Sequence, residues 1–156
     1  MPPTQRQGFT MVETILVLSV IGIVAAIGGP KLSAALQRRT TASAADQFVV
    51  THSLTRSTAI RFGRVAQLHV DAAAQRFWVD VDTSANGIGQ RATIANVRYV
   101  TDNGLRMTSN RALLCFDARG IASTMGSCES GDAKVIFSDG AMADTVTTTI
   151  LGKVLR

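Results

Sequence analysis

Glu13 is the sole charged side chain between Phe9 and Gly29. The run around it, Thr10-Met11-Val12-Glu13-Thr14-Ile15, continues as an apolar segment to Pro30. Wound as a helix, such a run spans roughly 30 Å, the thickness of a bilayer's hydrocarbon core, so it is expected to cross a membrane. An acidic side chain at the centre of a spanning helix costs roughly 2.5–3.5 kcal/mol on insertion scales, and residues kept at that cost have a partner and a task. The chemistry implied is electrostatic pairing. A carboxylate in the first turn of a helix also faces the favourable end of its macrodipole.

Gly8, then Phe9-Thr10, then Glu13 at the fifth position after the glycine and an unbroken apolar helix resemble the class III signal of type IV pilins and type II secretion pseudopilins. The resemblance implies that a prepilin peptidase in the membrane cuts between Gly8 and Phe9 and methylates the new amine of Phe9. It implies a cytoplasmic leader over 1–8, a transmembrane and assembly helix over 9–30 and a periplasmic domain over 31–156. Pro30 falls where pilins carry a helix-distorting proline. Cleavage would place an ammonium at Phe9, four residues from Glu13, within i, i+4 reach. Two partners for Glu13 stay open. One is the terminus of its own chain; the other is the amine of a neighbouring subunit, which would fix axial register by forbidding a buried unpaired charge.

Two plainer readings compete. Arg6 with Ala26-Ile27-Gly28 has the outline of an ordinary secretory signal, but Glu13 inside the apolar core and the helical pattern past Pro30 oppose it. A plain membrane anchor, tethering a periplasmic binding domain, would keep an uncut N-terminus. Arg6 lies on one side and Lys31, Arg38 and Arg39 on the other, so charge bias does not set the orientation.

Elsewhere the inventory for catalysis is thin. His52 falls on a predicted helix and His69 in a predicted strand, each read as a surface or partly buried side chain, without a nucleophile motif beside it. Gly87-Ile88-Gly89 follows no strand-to-helix unit and reads as a turn, not a phosphate cradle. Asp80 and Asp82 share one face of a strand, a weak calcium signal. The chain is read as non-enzymatic and without a cofactor or bound metal. A net charge of +5 with acids interleaved requires no nucleic-acid partner, and one Trp and one Tyr leave little for stacking on bases. Cys115 and Cys128 make an even pair, which outside the cytoplasm reads as a disulfide; free thiols or half of a metal site are the alternatives.

The elements that must carry these residues follow from period and punctuation. After Pro30 a helical pattern runs to about Phe62, with Leu32, Leu36, Phe48, Val49, Ala59 and Ile60 able to share a face. Gly28-Gly29-Pro30 is expected to weaken or bend the helix and Gly63 to stop it. From Arg64 the period becomes two. Strands are expected at Val65–Val70, Phe77–Val81, Ile94–Val100, Leu105–Thr108, Leu113–Phe116, Lys134–Phe137 and Val146–Leu151, with a turn near Asp71–Gln75 and a loop over Thr83–Gln90. One long helix followed by short strands gives an α+β fold: a helix, half membrane-spanning and half amphipathic, packed on antiparallel sheet. The residues after Pro30 suffice for a single small domain.

Cys115-Phe116-Asp117-Ala118-Arg119-Gly120, an apolar strand, and a last strand ending in glycine and basic residues resemble the GspH/FimT branch of minor pilins and pseudopilins. That implies a low-abundance subunit, with other pilins or pseudopilins as partners, of a type II secretion pseudopilus or a type IV pilus. Some FimT-type pilins carry a glycine-arginine-x-arginine tail for DNA. Here Gly152-Lys153-Val154-Leu155-Arg156 departs from it, because Lys153 neutralises phosphate without the bidentate fork and an extra residue separates it from Arg156. A solvated tail end is the plainer reading.

Overall fold

The structure is a computed structural model that describes residues 10–84, 91–101, 104–124, 128 and 131–156. Contacts divide the chain into two compact units, Met1–Leu36 and Gln37–Arg156. One helix, α1 (Met11–Phe62), supplies residues to both. In the first unit its large aliphatic side chains from Met11 to Ile27 are all at least 45% exposed. The helix is continuous through residue 30, so the proline does not end it.

In the second unit α1 buries a stripe of Thr41, Ala45, Phe48, Thr51, His52, Thr55, Thr58 and Ala59. The face expected from hydrophobicity is only partly right: Phe48 and Ala59 are buried, but Leu32, Leu36 and Ile60 are more than half exposed. Threonines occupy the buried positions because their hydroxyls bond locally. Thr41, Thr51 and Thr55 each donate to the carbonyl four residues back, Gln37, Gln47 and Thr51, so burial leaves no orphan donor. The helix ends as Gly63 predicts: Gly63 N–H donates to Ile60 O and Arg64 N–H to Ala59 O, the paired bonds of a Schellman cap.

Nine strands follow, all in antiparallel pairs. The first sheet runs β3 (Arg91–Thr93), β2 (Arg76–Asp82), β1 (Ala66–Asp71), β6 (Leu113–Phe116), and β4 (Arg98–Tyr99) also pairs with β2. The second runs β5 (Arg106–Ser109), β7 (Ala133–Ser138), β8 (Ala143–Thr148), β9 (Val154–Leu155). Alternation decides the faces: along β2, Phe77, Val79 and Val81 are buried while Arg76, Trp78 and Asp80 point outward. Phe48 joins the layers, its ring 5.5 Å from Phe77 of one sheet and 5.9 Å from Phe137 of the other.

Two strand expectations are corrected. Ile94–Val100 is not one strand but β3, a connection, and β4, both paired along the same edge of β2. Its apolar residues Ile94, Val97 and Val100 recur every third position, a spacing no flat strand can bury on one face. Val146–Leu151 is also broken: β8 stops at Thr148, and Ile150 and Leu151 belong to a turn in which Gly152 N–H donates to Thr149 O at 2.8 Å. Gly152 holds φ at +77°, and the chain returns as β9. The loop expected over Thr83–Gln90, with Gly87-Ile88-Gly89, lies mostly outside the described residues.

Candidate assembly site

The residues proposed for processing, Gly8 and Phe9, lie outside the described residues. Glu13 is in the first turn of α1, exposed, and its backbone N–H donates to Thr10 Oγ1 at 3.2 Å. Thr10 is thus the N-cap and Glu13 the N3 residue, the Thr-x-x-Glu order of a capping box. Its carboxylate stands among four orphan N–H groups of a helix start and beside apolar side chains that nothing in the chain covers. Among the described residues, α1 is the one helix long and apolar enough to cross a membrane. An acid so placed has one evident use: it accepts a cation brought to the helix from outside.

The second unit fastens its sheets to α1 through two arginines that hydrophobic periodicity did not flag. Arg56 donates from Nε to Gly120 O at 2.8 Å and from Nη1 to Gly152 O at 3.4 Å. Gly120 ends a turn built by Asp117, whose Oδ1 accepts from the backbone N–H of Arg119 and Ile121. These bonds, with the Arg119 guanidinium, hold the Asp117 carboxyl below the usual carboxylate range. The Phe-Asp-x-x-Gly signature is therefore a tie between strand and helix. Phe116 is fully buried, Asp117 shapes the turn, and Gly120 (φ +74°) lets the backbone approach so closely that a Cβ would lie 2.9 Å from Ile60 Cδ1.

The C-terminus is the second tie. Arg156 bonds Asp144 Oδ2 through Nε at 3.0 Å and through Nη2, pairs with Asp46 through Nη1, and donates to Ala42 O at 3.3 Å. The tail is thus not a solvated end: Val154–Leu155 is a paired strand and Arg156 is held between two carboxylates, while Lys153 is exposed.

Cys115 and Cys128 are bonded to each other, 13 residues apart, with Cα atoms 5.8 Å apart. His52 departs from its surface reading. It is fully buried, its ring packs edge-on against Phe116 at 4.9 Å, and its Nε2 has no hydrogen-bond partner. Burial first, and the Arg56 charge second, lower its pKa to about 4. His69 stacks on Trp78 at 4.7 Å; its Nε2 lies 3.2 Å from Asp80, but burial outweighs that carboxylate and lowers its pKa too, so the neutral ring prevails near pH 7. Asp80 receives Trp78 Nε1–H and the Thr93 hydroxyl, and Asp82 receives the Ser84 amide and hydroxyl, so each carboxylate already has donors. Among the described residues no three His, Cys, Asp or Glu side chains gather as metal ligands.

Residues 3–29 match the prokaryotic N-terminal methylation motif. No curated protein matches the chain by sequence. The fold is similar to the type IV minor pilin FimU of Pseudomonas aeruginosa strain PAO1, with a TM-score of 0.58 at 14% identity over 76% of this chain and 88% of that one. It is also similar to the minor pseudopilin EpsH of the Vibrio cholerae type 2 secretion system, with a TM-score of 0.55 at 15% identity over 74% of this chain and 94% of that one. The chain therefore carries the methylation motif on the minor-pilin fold: one long N-terminal helix packed on antiparallel sheets.

Proposed function

We propose that this chain is a non-enzymatic minor pilin-like subunit, anchored in the inner membrane by α1 with its C-terminal domain in the periplasm. On this reading a prepilin peptidase cuts after Gly8 and methylates Phe9. The subunit then joins a filament of other pilins or pseudopilins through α1. The observation that carries the reading is Glu13: a lone acid on an apolar helix exposed all round, inside the segment that matches the methylation motif. Glu13 pairs with the Phe9 amine of a neighbouring subunit, and Pro30 softens the helix where it leaves the bilayer.

The machine proposed first is a type II secretion system, with this chain as its GspH-like minor pseudopilin, helping to initiate or tip a pseudopilus that drives protein secretion. The likeness to FimU favours a second reading, a FimT/FimU-like minor pilin for pilus biogenesis or DNA uptake. DNA contact through Lys153 and Arg156 gains little support, because Asp144 and Asp46 already hold the Arg156 guanidinium.

Mass spectrometry of the protein from its native host tests the processing step: the expected chain starts at Phe9, methylated. Residues 1–8 still attached in cells with a working peptidase would refute the filament reading. Glu13→Ala should leave the chain in the membrane fraction but absent from sheared filaments; normal incorporation would refute the pairing. In a deletion strain, loss of secreted proteins with pili intact selects the first machine, and the reverse selects the second.

A further inference from the structure

We propose that the turns beside the end of α1 form a docking surface for an apolar face of another protein ringed by carboxylates. Arg56 draws the surface together by bonding both turn carbonyls, Gly120 O and Gly152 O. Ile60, one helical turn further on, covers Gly120, and a Cβ on Gly152 would lie 3.5 Å from the Ala122 nitrogen. The aliphatic side chains gathered at these points stay open to solvent: Ile60 is 56% exposed, Ile121 39%, Ile150 58% and Leu151 70%. Contiguous apolar patches of this kind on a folded domain mark interaction sites, whereas scattered single residues do not.

The rim is cationic and interleaved with the centre. Arg61 follows Ile60, Arg119 stands two residues before Ile121, and Lys153 stands two after Leu151. The acids nearby are engaged: Asp117 with the Arg119 and Ile121 amides and the Arg119 guanidinium, and Asp132 with the Ile150 amide at 3.0 Å. An apolar centre with a polar, charged rim is the anatomy of a protein interface, and complementarity calls for acids on the partner. Four aliphatics give a nucleic acid nothing to stack on, and no Trp or Tyr is present to anchor a membrane interface. The surface belongs wholly to the second unit and stands or falls apart from the filament reading.

The test uses the full chain in nanodiscs of neutral lipid. The probe is a synthetic amphipathic helical peptide with a leucine stripe flanked by glutamates; its control carries lysines in place of the glutamates. Fluorescence anisotropy should show the acidic peptide binding at least tenfold tighter than the control, and weakening as salt rises. Leu151→Ser should lower that affinity tenfold or more through the centre, and Lys153→Glu through the rim. Both side chains are exposed, so the fold survives either change. Failure of the acidic peptide to bind, equal binding of both peptides, or binding unchanged in both variants would overturn the proposal. So would binding of phosphatidylglycerol vesicles or duplex DNA that Leu151→Ser and Lys153→Glu abolish while the acidic peptide stays unbound.

Discussion

His52 lies in the core against Phe116 with Nε2 unpartnered, so its neutral form is built into the fold. The folded pKa, about 4, is below the unfolded value of 6.5, so the unfolded chain takes up the proton first. Stability is thus full above about pH 6.5 and is lost as pH falls toward 4, with a ceiling of roughly 3 kcal/mol from this one group. Urea unfolding of the full chain in detergent at pH 7.5, 5.5 and 4.5 should trace that fall, and His52→Leu should flatten it. Gly120 is the second residue on which the fold turns. Alanine there would combine a left-handed backbone with a Cβ 2.9 Å from Ile60 Cδ1, a cost of about 1–3 kcal/mol, measurable as a lower urea midpoint at unchanged slope. Gly120 was legible as a turn, but the need for a missing Cβ was not, because Ile60 meets it only after the helix has docked.

At the scale of elements, α1 joins two kinds of surface in one helix. Its first part is apolar all round; its second part buries threonines and small residues and exposes several aliphatics. Hydrophobic periodicity located the helix and its stop at Gly63, yet chose part of the wrong face. A threonine whose hydroxyl bonds its own helix packs like valine while scoring as polar. The two arginine ties carry unequal weight. Arg56 is partly buried and holds two carbonyls in one fork, whereas Arg156 pairs with an Asp46 that is largely exposed. Arg56→Lys should therefore cost about 1–2 kcal/mol at any ionic strength, while Arg156→Ala should cost under about 1 kcal/mol and nothing measurable in 1 M salt. Thermal melts at two salt concentrations separate them; equal losses would show that the ranking is wrong.

For the whole molecule, the disulfide closes a short loop on a domain whose core is otherwise small. The chain-entropy account gives about 3 kcal/mol for a loop of this length, so Cys115→Ala with Cys128→Ala should lower the urea midpoint by that equivalent, and reductant should do the same to the native chain. A pair of variants that unfold no sooner would place the stability in Phe48 and the sheets it joins.

The sequence alone determined what depends on neighbours along the chain: the glycine-to-glutamate spacing at the N-terminus, the length of the apolar helix, the helix stop, most strands and the even cysteine pair. Each is a local signal, set by backbone geometry or by a run of side chains within a few residues. Tertiary structure decided what depends on groups far apart. Arg56 meets carbonyls 64 and 96 residues away, and Arg156 reaches Asp46 across 110. His52 becomes a core residue only because Phe116 arrives beside it, and a tail that reads as free becomes a strand once Gly152 turns it back against β8. Such contacts leave no periodicity to read, since their partners are chosen by packing.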